Sequence, residues 1–141
     1  MSSPGLQQQP RATLGGVTVQ TSDCHADLKR HHWVIPCSFE SGEQFTAKFY
    51  CTQAMRIDAA NAQCVKAIAA TDNATITIKD SSGATKCTIT YTAGDAINTE
   101  KAGAVTAFDV AAGSYFQVVC AKTTAGGKAL LSVSGVRNGN G

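Results

Sequence analysis

The residues best suited to chemistry lie in one stretch: Cys24-His25, His31-His32 and Cys37. Thiolate and imidazole are the donors zinc prefers, arranged as a tetrahedron. The spacing matches no standard finger, and no C-x-x-C pair is present. His31 and His32 are neighbours, so on a strand they point to opposite faces and at most one joins a simple site. The expectation is therefore no metal and no cofactor. The plainer reading is an exposed basic junction, Lys29-Arg30-His31-His32. Together with Arg11 it is expected to contact an acidic patch on a partner, in a salt-sensitive way.

Other routes to catalysis are weaker. The chain has no G-x-S-x-G elbow. Gly126-Gly127-Lys128 resembles a fragment of a phosphate loop, but Ala129 stands where Ser or Thr is required and a strand follows instead of a helix. Asp58, Asp72, Asp80, Asp95 and Asp109 are expected mostly at turns, where local hydrogen bonding explains them without a carboxylate pair. Trp33, Tyr50, Tyr91 and Tyr115 could stack on a sugar. Aromatics are only 6% of the residues, however, and a β core claims most of them. The chain reads as non-enzymatic.

These residues sit on a repeating pattern of strand and turn. Trp33, Ile35, Cys37 and Phe39 alternate with polar or exposed positions, and so do Phe45, Ala47, Phe49 and Cys51. Ile76 and Ile78 do the same, as do Cys87, Ile89 and Tyr91, then Phe116, Val118 and Cys120. Period-two alternation broken by Gly, Ser, Asp and Asn clusters writes half-buried antiparallel strands. Pro36, on the outward parity, marks an edge strand or bulge. Asp80-Ser81-Ser82-Gly83 predicts a tight turn between strands 74–79 and 85–91. Residues 53–63 read ambiguously, with Ala59-Ala60-Asn61-Ala62 as a possible helical turn and a separate strand at 64–70. Residues 92–103 read as a polar connection, followed by strands at 105–110, 115–120 and 129–136. The expected fold is all-β: an antiparallel, jelly-roll-like sandwich of about eight strands with an extended N-terminal arm. The arm covers 1–30, with a strand-like piece at Val17-Thr18-Val19. The sandwich covers 31–137 and a loose tail covers 138–141. Val34 and Leu130 fall on the outward parity and are the expected subunit interface.

A chain of 141 residues fits one domain with a full core. The net charge of +2 and the lack of a Lys/Arg run leave no nucleic-acid footprint. No apolar run approaches the roughly 20 residues of a membrane-spanning helix. The start lacks the charged-then-apolar layout of a secretory signal. Six cysteines, Cys24, Cys37, Cys51, Cys64, Cys87 and Cys120, would allow fifteen disulfide connectivities. The inward parity of Cys37, Cys51, Cys87 and Cys120 instead predicts mostly buried, reduced thiols acting as small hydrophobes. A disulfide-stapled extracellular domain is the rival reading.

From Phe39 onward the pattern resembles structural proteins of tailed-phage virions. The resemblance rests on Ser38-Phe39-Glu40-Ser41-Gly42-Glu43, the strand Ala74-Thr75-Ile76-Thr77-Ile78, the hairpin turn Asp80-Ser81-Ser82-Gly83, the turn Asp109-Val110-Ala111-Ala112-Gly113 and Leu130-Leu131-Ser132-Val133-Ser134. It covers roughly residues 38–136. It implies a small jelly roll that decorates or cements the head shell. The partner would be the major capsid protein or another virion protein, the location the head surface, and the assembly a homo-oligomer, with a trimer favoured. A tail or fibre β module, with glycan binding, is the alternative. The cysteines and the His-rich start depart from that pattern.

Overall fold

The computed structural model describes residues 13–14, 17–18 and 30–137. The chain divides into two units between Arg30 and His31. In the first part, strands β1 (Thr13–Leu14) and β2 (Val17–Thr18) pair antiparallel, with Thr13 opposite Thr18. The basic residues Arg11 and Lys29 lie outside the described residues, as do Cys24, His25 and the tail 138–141.

The second part is an all-β sandwich of nine strands, and the described residues contain no helix. The strands are β3 (Arg30–Ser38), β4 (Thr46–Tyr50), β5 (Met55–Lys66), β6 (Ala74–Lys79), β7 (Thr85–Tyr91), β8 (Glu100–Gly103), β9 (Phe108–Val110), β10 (Tyr115–Ala121) and β11 (Lys128–Arg137). One sheet runs β4-β10-β6-β7. The other runs β3-β11-β5-β8, with β9 also on β5. β8 pairs residues 60–63 of β5 and β9 pairs residues 55–57, so the two are halves of one interrupted strand. Numbering the eight sheet positions in chain order gives 2-7-4-5 over 1-8-3-6. That order is the double Greek key of a jelly roll.

The inward side chains follow the alternation. Ile76, Ile78, Phe116, Val118, Leu131 and Val133 are fully buried. Phe116 sits at the aromatic centre, stacked on Phe49 at 5.5 Å and edge-on to Trp33 at 5.2 Å, separations typical of favourable ring pairs. Five cysteines, Cys37, Cys51, Cys64, Cys87 and Cys120, are buried free thiols within this core. Cys37 is held well above the ordinary thiol range, first by its hydrogen bond with Cys120 and then by burial. Burial also raises Cys51 and Cys87. Buried thiols of this kind are chemically quiet.

Three local expectations are corrected. Residues 55–66 form one continuous strand, not a helical turn followed by a second strand. The inward positions are Met55 and Ile57, then Ala60, Ala62 and Cys64, so the parity slips once. The slip falls at Asp58: Ser134 pairs Ala59 and Gly135 pairs Ile57, leaving Asp58 as the extra residue of a β-bulge. Gly135 is required there, because a Cβ would collide with the Arg56 carbonyl. Second, β8 lies inside the stretch expected to be connection. Third, Asp58 and Asp109 lie on strands, not turns, and Asp109 pairs with Arg56 at 3.0 Å. Pro36 does lie on an edge strand, exposed, where its missing N–H costs no ladder bond.

Candidate functional site

Two surfaces and one polar cluster of the sandwich could do work. The first surface is the outer face of the five-stranded sheet. Val34 on β3 and Leu130 on β11 are exposed, at 63% and 39%. β3 and β11 are neighbours in the sheet. Both residues line one shallow depression with Ser132, Asn61, Gln63 and Ala102. Glu100 and Lys101 of β8 also line it. The structure thus brings together the two residues assigned to an interface from parity alone. Most of the lining is small, amide-bearing or apolar, with one charged residue of each sign, a mixture met at protein contacts.

The second surface is a pocket at the end of the sandwich where β3 begins and β11 finishes. Its lining includes His31, Trp33, Tyr50, Thr52, Gln53 and Arg137. Met55 and Cys51, both buried, form its apolar base. The strand period decides which histidine reaches it. His31 shares the parity of Trp33, with ring centroids 6.3 Å apart, whereas His32 shares the parity of Val34 on the outer face. The expected basic contact, Arg30-His31-His32, is therefore split between two faces of one strand. Arg30 is half-buried and already engaged. Among the described residues no group of three His, Cys, Asp or Glu is placed to hold a metal ion.

The polar cluster lies at the opposite end. The Lys122 side chain is fully buried and ion-pairs with Asp72. Asp72 also accepts the Thr124 N–H at 2.9 Å. The Lys122 bond first, and the Thr124 bonds after it, hold the Asp72 carboxyl below the usual carboxylate range. Gln44 closes the cluster, donating to the Lys122 carbonyl at 2.8 Å and accepting the Lys122 N–H at 3.0 Å. Every group there has a partner within the fold, so the cluster ties loops together and offers no free reactive atom.

Of the four aromatics considered for sugar contact, Tyr91 is fully buried and Trp33 is packed against the core. Tyr50 is exposed, and its ring lies 5.3 Å from that of Tyr115. Sequence reasoning missed Arg137, Thr52 and Gln53. Arg137 stands at a strand end and Thr52 and Gln53 in a loop, where no period marks a function. No protein-family model, curated protein or solved structure matches this chain.

Proposed function

We propose that this chain is a non-enzymatic decoration or cement protein of a phage head, acting by binding. The jelly-roll body is the rigid part. The outer face of its five-stranded sheet carries the subunit contact, and the basic N-terminal residues Arg11 and Lys29 meet the shell. The observation that carries the reading is the convergence of exposed Val34 and Leu130 on one depression of a single sheet. Exposed apolar side chains grouped on one face mark contact sites on soluble proteins. The virion assignment rests on the resemblance of the strand and turn segments between residues 38 and 136. A trimer follows from that resemblance too, and it requires the sheet face to meet a different surface of the neighbouring copy, since a face meeting itself closes a dimer. Binding that favours assembled over loose shell subunits stabilises the shell by mass action.

The test is the number of copies in purified particles from the source, by quantitative mass spectrometry. A number comparable to the main shell protein is expected. A handful of copies would move the protein to the tail or fibre. Complete absence would overturn the virion reading.

A further inference from the structure

We propose that the end pocket lined by His31, Trp33, Tyr50 and Arg137 is a binding site for an acidic sugar, with the Arg137 guanidinium taking the carboxylate. The site lies apart from the outer sheet face, so it stands or falls independently of the assembly role.

The argument begins with Arg137. Its Nε is buried and has no hydrogen-bond partner. A buried donor left unpaired is unfavourable and rare in folded proteins, and the same side chain lines the pocket, where an acceptor entering from solvent meets the guanidinium. Among the described residues lining the pocket none is acidic. None of these described side chains competes for the guanidinium, whose planar fork matches a carboxylate through two parallel bonds. The pocket encloses about 300 Å³, at the small end of the range for ligand sites. That is room for one ring, not for a folded segment.

The rest of the lining favours a sugar as the carrier of that carboxylate. Tyr50 is exposed at the mouth, and its ring continues into that of Tyr115. The two rings meet at a tilt of 59°, so Tyr50 offers a single exposed ring at the pocket. The C–H face of a pyranose packs on such a ring while its hydroxyls stay free for hydrogen bonds. Thr52, Gln53 and His31 supply donors and acceptors for those hydroxyls. Lys48 lies over the Tyr115 ring at 4.7 Å, so a second cation stands where the next acidic unit of a chain would run. An acidic peptide would satisfy Arg137 but would leave the exposed Tyr50 ring and the hydroxyl-matching groups unused.

The chain has one tryptophan, Trp33, so its emission reports directly on the pocket. The full chain is titrated with tetragalacturonate, with the neutral galactose tetramer and with polyglutamate, at one ionic strength. Tetragalacturonate is expected to change the emission saturably. Affinity for the other two is expected to be weaker by about tenfold or more, reflecting the charge-assisted Arg–carboxylate pair and the stacked ring respectively. Arg137→Gln should weaken uronate binding by a similar factor. Tyr50→Ala, at an exposed position, should weaken it while leaving the thermal melt unchanged, and it decides the matter if Arg137→Gln fails to fold. No saturable change would overturn the site. Equal affinity for the neutral tetramer would overturn the role of Arg137. Equal affinity for polyglutamate would overturn the sugar in favour of a peptide. Undiminished binding by the folded variants would place the ligand elsewhere.

Discussion

Three carboxylates at loops set how this fold responds to acid. Asp80 accepts from the Ser82 hydroxyl at 2.6 Å and from the Ser82 and Ala84 N–H groups at 2.9 Å. Asp72 holds Lys122, and Glu40 accepts from Lys66 at 2.7 Å and from the Gly127 N–H at 2.9 Å. Each is held below its ordinary value, chiefly by Ser82, Lys122 and Lys66 respectively. A carboxyl depressed in the folded state adds stability above its unfolded value and loses it as pH falls through the folded value. Thermal melts should therefore be flat near neutral pH and decline once pH passes below about 4, the ordinary carboxylate range. Asp80→Asn should lower the melting temperature at neutral pH, and the difference from wild type should shrink steadily as the buffer is acidified. A constant difference would contradict this. Thr71 carries a different burden. Its φ of 106° lies where a β-branched residue is strained. Relief of about 1–3 kcal/mol against a glycine cost of about 0.5–1 predicts that Thr71→Gly stabilises by about 1 kcal/mol. Denaturant unfolding checks this, and a loss of stability would contradict it.

At the scale of elements, much of the fold was legible because the core face repeats every second residue. Ile76, Ile78, Ile89, Phe116 and Val118 all turn inward as their parity requires. The Asp80 turn was legible too, since Asp, Ser and Gly each had one job there: Gly83 takes φ 90° and its N–H reaches the Asp80 carbonyl at 3.0 Å. β5 was not legible because the bulge at Asp58 resets the parity in the middle of an alanine-rich run. Two half-patterns of opposite phase look like no pattern, and alanine has no β preference to compensate. β8 escaped notice because Glu100-Lys101-Ala102-Gly103 carries no apolar alternation. It is held by the ladder to β5, and Gly103 fits against Cys87, where a Cβ would come within 2.6 Å of Sγ. Of the candidate surfaces, parity alone exposed Val34 and Leu130. That they share one depression depends on β3 and β11 being neighbours, although some 90 residues separate them, which only the jelly-roll order supplies. The end pocket depends on strand ends and a loop, where no period operates. If the outer face carries the subunit contact, Leu130→Asp should reduce the native mass to that of a single chain by light scattering. An unchanged oligomer mass would remove this face from the interface.

At the scale of the whole molecule, the fold and the proposed role agree in kind. A double sheet packed around a continuous core is stiff, and its edge strands include the short β4 and β8 and the proline-bearing β3. Such a body transmits load between the groups it touches without needing a moving part. Its nearly neutral charge leaves attachment to local contacts, not to a long-range field. The central claim is that this body binds a preformed shell. The most direct measurement is cosedimentation of the purified full chain with intact heads that lack it, alongside an Arg11→Glu/Lys29→Glu variant. The account predicts saturable uptake at a fixed ratio to the main shell protein, falling as salt rises and strongly reduced in the variant. Wild-type chain that stays in the supernatant at every concentration would contradict it.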